Sequence, residues 1–132
     1  MTESTKPTEA VAEPVRPETK TENAAMISYE DFAKLDIRIG TVVAVEKIEN
    51  ADKLLKCTID FGSFGTRTIV SGIAEWKHSE DLVGRQLPYI VNLAPRMLRG
   101  VESQGMLIAA SDDHGVALIL PEREVPPGTK LK

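Results

Sequence analysis

The chain has 132 residues, with 16 Lys and Arg against 20 Asp and Glu and a formal net charge of −4, which fits one domain or a domain with a tail and makes nucleic acid a poor first guess from composition alone. No run approaches the roughly 20 apolar residues of a membrane-spanning helix, and Met1 to Lys6 is polar, without the apolar core of a signal peptide, so a soluble cytoplasmic protein with no membrane partner is expected. The single cysteine, Cys57, excludes an internal disulfide, and with only two histidines it is too little for a structural zinc site, so no metal and no cofactor is expected.

Residues 1–25 contain no Leu, Ile, Phe, Tyr, Trp or Gly but include Pro7, Pro14 and Pro17 among Thr, Glu, Lys and Ala. Such a stretch buries too little apolar surface to offset its ordering entropy, and it reads as a disordered Pro/Glu/Thr-rich arm or linker. Residues 26–132 read as one folded domain. The arm takes three basic and five acidic residues with it, leaving 13 against 15, so the folded part is close to neutral.

Ordered structure is expected to begin with a short helix running to about Leu35. Ser28 is a good N-cap with Asp31 three residues on, and Ile27 and Phe32 occupy the positions of a hydrophobic staple. From Asp36 the period becomes two, placing Ile37, Ile39, Thr41, Val43 and Val45 on one face of a long first strand. Asn50 to Lys53 forms a polar turn. In the second strand Leu55, Cys57, Ile59 and Phe61 alternate with Lys56, Thr58 and Asp60, putting the cysteine in the core. Gly62 to Gly65 connects to a third strand, Thr66 to Ser71. Gly72 to Gly84 breaks the alternation and reads as a crossover with one helical turn starting at Ser79. Leu87, Tyr89, Val91 and Leu93 mark a fourth strand, where Pro88 requires a strand start or an edge. Met106 to Ala110 is the fifth. Asp112 to Gly115 turns the chain into an apolar run, Val116 to Leu120, and Pro126, Pro127 and Gly128 close the domain.

Three strands, a short crossover and two more strands give the order of an all-β, five-stranded OB-fold barrel, here with a short N-terminal helix, a short helical crossover and an extra C-terminal strand. A small sandwich is the competing architecture. The distribution of charge is more informative than its sum. The 20 residues between Asp81 and Glu102 hold Arg85, Arg96 and Arg99 and no acid, and an acid-free stretch between Asp60 and Glu75 holds Arg67. Lys47, Lys53 and Lys56 flank the first turn. An OB groove is lined by strands 2 and 3 and bounded by the loops after strand 1 and before strand 5, the elements on which these residues fall. An ordinary solvated surface is the competing reading. Aromatic residues are only 5% of the chain, a thin basis for a stacking platform, although Phe64, Trp76 and Tyr89 are candidates for partial exposure. No catalytic constellation is visible: His78 and His114 lie in polar turns, and the Asp112–Asp113 pair is explained by the turn before Gly115.

The segments Asp36-Ile37-Arg38-Ile39-Gly40, Asn50-Ala51-Asp52-Lys53-Leu54, Ser71-Gly72-Ile73-Ala74, Asn92 to Gly100 and Ser103-Gln104-Gly105-Met106 together resemble the signatures of the tRNA-binding domain family. That family includes the C-terminal domain of bacterial methionyl-tRNA synthetases, a free-standing structure-specific tRNA-binding protein and the C-terminal module of endothelial monocyte-activating polypeptide. The resemblance spans Tyr29 to Lys132. It implies a non-catalytic OB barrel that binds tRNA by shape, serves the catalytic part of methionyl-tRNA synthetase or stands alone, and often forms a homodimer. It implies a binding surface of Asn50 and Lys53 on the first loop, Asn92, Arg96 and Arg99 before strand five, and Ser103 and Met106 in the S-x-G-M motif. Arg67 joins this set from the charge reading. Gly100, Gly105, Met106 and Asp52 also have purely structural readings as turn or core residues. Where the family often has a proline before the Asn-Ala-Asp-Lys turn, this chain has Glu49, an acid beside Lys53. An alternative reading is a protein-docking or dimerisation module with residual tRNA binding, suggested by the near-neutral domain and the apolar Val116–Leu120 run.

Overall fold

A computed structural model describes residues 25–132, so the arm expected over residues 1–25 lies, but for its last residue, outside the described part. The chain divides between Lys34 and Leu35. On the N-terminal side, helix α1 (Tyr29–Ala33) is capped by Ser28, whose Oγ accepts from the Asp31 amide while the Asp31 carboxylate accepts from the Ser28 amide. The helix stops before Leu35, and Ile27 stays 66% exposed, so the expected staple is not closed.

From Leu35 onward the strands are β1 (Ile37–Ile48), β2 (Ala51–Asp60), β3 (Thr66–Ser71), β4 (Gln86–Ile90), β5 (Arg96–Leu98), β6 (Val101–Ser103), β7 (Met106–Leu107), β8 (Ala109–Asp112) and β9 (Gly115–Leu118), with one short helix, α2 (Ser79–Leu82), in the crossover. The main sheet is antiparallel in the order β3-β2-β1-β4-β7. It closes where β3 meets the segment after β6: Gln104 N–H donates to Thr68 C=O, Thr68 N–H to Gln104 Oε1, and Val70 N–H to Ser103 Oγ. These bonds complete the OB barrel. Its core holds Val42, Leu55, Cys57, Ile59, Phe61, Ile69, Leu82, Leu87 and Tyr89, with Phe61 and Tyr89 edge to face at 5.7 Å.

The alternation expected in β2 is observed, with Leu55, Cys57, Ile59 and Phe61 all buried. In β1 the expected face is corrected. Val42 is 1% exposed and Val43 48%, because a bulge between Val42 and Ala44 leaves Val43 without a partner on β2 and lets both Val42 and Val45 face the core. Gly40 also points inward: a Cβ there would lie 2.3 Å from Ile59 Cγ2. Ile39 is buried on the opposite face, under the C-terminal segment, whose Gly128 and Thr129 take both Ile39 backbone bonds. Pro88 faces Ile39 in β4. Because the Ile39 backbone groups are committed elsewhere, that pair exchanges no ladder bond; the Pro88 carbonyl points to the other side and accepts from the Ile108 amide, so the missing proline N–H leaves one bond unmade only at the end of the short β4–β7 pairing.

The fifth strand is two pieces. β7 pairs with β4, while β8 forms a separate hairpin with β9 through the expected turn at Asp112–Gly115. The segment before it, expected as a loop, is a further hairpin, β5–β6. Its two-residue turn is Arg99-Gly100, with φ of +51° and +81°, the pattern of a type I′ turn.

Candidate nucleic-acid interface

The polar turn after β1 consists of Glu49 and Asn50, with Asn50 at φ +63°. Asparagine suits that left-handed position because its short polar side chain tolerates it. The β1–β2 register then jumps from Ile48–Ala51 to Lys47–Leu55. Asp52, Lys53 and Leu54 are thereby left out of the paired register. The Lys53 carbonyl instead accepts from the Ala74 amide at 3.1 Å, seating this turn on the crossover segment Ser71-Gly72-Ile73-Ala74. Lys53 is exposed, and Ile73 beneath it is buried.

On the other side of Gly72 and Ile73 lies a groove of about 200 Å³, lined also by Val70, Arg96, Met106 and the β8–β9 hairpin. A second groove of about 320 Å³ separates Lys56 and Thr68, on the outer face of β2 and β3, from Gly100, Val101 and Glu102 of the β5–β6 hairpin. The hairpin thus stands between two grooves, with Arg96 exposed at its base and Arg99 at its tip. Arg96 and Met106 line the first groove and Arg99 tips the hairpin, while Asn50 and Lys53 lie in the first turn and the residues after it, seated on the crossover. The acids on this surface are Glu102 on the hairpin and the exposed Glu49 and Asp52 beside Asn50 and Lys53. Lys56, which the alternation of β2 places outward, joins the cations there.

Arg67, Asn92 and Ser103 are differently placed. Arg67 stands opposite Ile59 in the β2–β3 register, on the inward-facing side, and its Nη1 donates to the Val91 and Gln104 carbonyls. Its guanidinium ties β3 to the end of β4. Asn92 Oδ1 accepts from the Asp36 amide at 2.9 Å, holding the start of β1. Ser103 is 2% exposed, accepting from Val70 N–H at 2.9 Å and donating to Gly105 C=O at 3.2 Å. Gln104, absent from the sequence-based set, takes both backbone groups of Thr68. Only its place inside the S-x-G-M motif pointed to it.

Opposite Tyr89 of β4, Arg38 makes an ion pair with Asp36 at 2.8 Å, off-line for a hydrogen bond, donates to the Gly128 carbonyl and lies 3.8 Å above the Phe64 ring. This cluster anchors the C-terminal segment to the barrel. Among the described residues no group of three or more His, Cys, Asp or Glu is arranged to hold a metal ion, and no helix is long and apolar enough to cross a membrane. Burial pushes the Cys57 thiol up to about 11 and raises the Tyr89 phenol further, with the neighbouring Cys57 adding to the latter. Neither group is poised for nucleophilic work near neutral pH.

The family model described as "Putative tRNA binding domain" matches residues 37–130. The chain is 52% identical over 112 residues to a methionine–tRNA ligase of Deinococcus radiodurans, covering 84% of this chain and 16% of that one. It is 49% identical over 105 residues to the ligase of Methanococcoides burtonii, covering 79% and 15%. The chain therefore spans about a sixth of the length of the ligases it matches. Among solved structures, a MetRS-related protein from Pyrococcus horikoshii superposes with a TM-score of 0.77 at 41% identity, covering 83% of this chain and all of that one. The chaperone CsaA of Bacillus anthracis superposes at 0.75 and 34% identity, covering 82% and 100%.

Proposed function

This chain belongs to the tRNA-binding domain family, and from that membership we propose that it is a non-catalytic tRNA-binding module of the cytoplasm, acting with methionyl-tRNA synthetase or standing alone. The observation that carries the reading is the folding of the acid-free arginine segment into a hairpin over the outer face of β2 and β3, with Lys53 across the crossover from it. Lys53, Arg96 and Arg99 would contact phosphates, Asn50 would present the first loop, and Met106 would give an apolar contact in the groove. Arg67, Asn92 and Ser103 would serve the surface by holding the elements that carry it. The arm over residues 1–25 would tether the barrel.

Three to five phosphate contacts give a log–log salt slope of roughly −2 to −4. Filter binding of tRNA across a salt series is expected to find it, and Lys53→Ala and Arg99→Ala should each lessen the slope by about 1 while weakening different tRNAs alike. A flat salt dependence, or no binding at low salt, would sink the reading.

A homodimer is proposed on a separate observation. Ile119, Leu120 and Leu131 are partly exposed and, with Ile39, Pro88 and Val125, line an apolar groove on the side of β1 away from the core. Sedimentation should give twice the chain mass without tRNA, and two chains plus the bound tRNA with it. A monomer at tens of micromolar would remove this part alone.

A further inference from the structure

Between Leu35 and Lys132, Phe61 and Tyr89 are core residues, and the ring of Phe64 carries the Arg38 guanidinium on one face. Trp76 is different. It is 47% exposed although the crossover is already anchored by the buried Ile73 and Leu82. Its backbone is set by a tight turn, with the Trp76 and Lys77 amides donating to the Ile73 carbonyl. The indole lies against the turn of the β8–β9 hairpin: a Cβ added to Gly115 would sit 2.6 Å from Cδ1, 2.9 Å from Nε1 and 3.2 Å from Cγ. Only glycine fits beneath it, so the ring has a backbone support at that contact and surface left open to solvent.

The next residue, Val116, lines the groove that also holds Arg96 and Met106. The supported indole therefore stands near the hairpin end of a groove whose wall includes an exposed arginine. An open aromatic surface on the hairpin that borders a groove, with a cation elsewhere on that groove's wall, suits an unstacked base and a phosphate further along the chain, the form in which single-stranded and loop nucleotides are bound.

We propose that Trp76 stacks an unpaired nucleobase of bound tRNA, with Arg96 taking a phosphate further along the chain. This rests on the tRNA-binding reading above and adds to it a contact that net charge cannot supply. Stacking releases no counterions, so it contributes affinity without salt dependence, whereas the lysine and arginine contacts contribute both.

Trp76 is the only tryptophan in the chain, so the unaltered protein reports on it directly. Titration with tRNA should quench its emission with the midpoint found by filter binding, and bound tRNA should reduce quenching by acrylamide. Trp76→Ala is expected to weaken binding about five- to a hundredfold with the salt slope unchanged. Trp76→Phe should recover much of that loss, and Arg96→Ala should lower the slope. Wild-type binding with emission and acrylamide access unaltered would overturn the proposal, even if Trp76→Ala fails to fold. So would a folded Trp76→Ala that binds within twofold of wild type. Absence of any wild-type binding at low salt would instead remove the tRNA reading, and this inference with it.

Discussion

Arg99 sits at φ +51° in a two-residue turn with Gly100 at +81°. A non-glycine residue in the left-handed region is destabilising by about 1–2 kcal/mol, and Asn-Gly is the pair such turns favour. The arginine is therefore a poor choice for the turn and a good one for a phosphate. Arg99→Asn should raise stability in urea melts by about 0.5–1 kcal/mol while weakening tRNA binding; a variant that loses stability or keeps full affinity would contradict this. Asn50, at φ +63°, already suits its turn. Arg67 was legible as inward-facing, because Ile69 two residues later is in the core and alternation puts both on one face. Its charge drew attention outward instead. Ser103 carried no such signal. Its hydroxyl is buried only because β3, more than 30 residues earlier, runs past it and leaves the Val70 amide needing an acceptor.

At the level of the elements, the two faces of β2 were read correctly because apolar and polar residues alternate cleanly along it, although the strand starts at Ala51, inside the segment expected as a turn. β1 was not, for two reasons. Its inward positions begin with Gly40, which shows no hydrophobic signal, and its outward Ile39 is apolar because the C-terminal segment covers it. The bulge at Val43 then changes the phase. Val42→Ala is expected to cost about 2 kcal/mol, as truncation of a buried side chain does, while Val43→Thr should stay within about 0.5 kcal/mol. Chemical denaturation of the two variants decides between the faces: equal losses would mean that the bulge is absent. The β5–β6 hairpin was read as a loop because its strands are three residues each and its turn carries arginine where asparagine is usual.

For the whole molecule, the core sets the response to alkali. Both Cys57 and Tyr89 are neutral when buried and ionise more readily in the unfolded chain, where the thiol has its ordinary value of 9.0 against about 11 in the fold. Above pH 9 the unfolded state binds fewer protons than the native one, so stability falls as pH rises and is unaffected by these groups below about 8. Through the thiol alone the loss reaches roughly 2–3 kcal/mol by pH 11. Urea midpoints measured from pH 7 to 10.5 should stay level and then decline, and Cys57→Ala should shift the onset toward pH 10, where the tyrosine begins to act. A midpoint that holds constant to pH 10.5 would refute the coupling.

Local pattern by itself determined the first four strands, the crossover, the β8–β9 turn and the clustering of arginines away from acids, because each is written in the residues of one short segment. Tertiary structure alone decided which of those charges reach solvent. Arg67 was drawn to the Val91 carbonyl, Ser103 to the Val70 amide and Trp76 onto Gly115 by strands that meet only when the barrel closes. Those meetings join residues 24 to 39 positions apart, a distance over which neither alternation nor charge pattern along the chain carries information. The net charge of −4 belongs to the sum of the chain, whereas the candidate surface is made by the few cations that closure leaves outside.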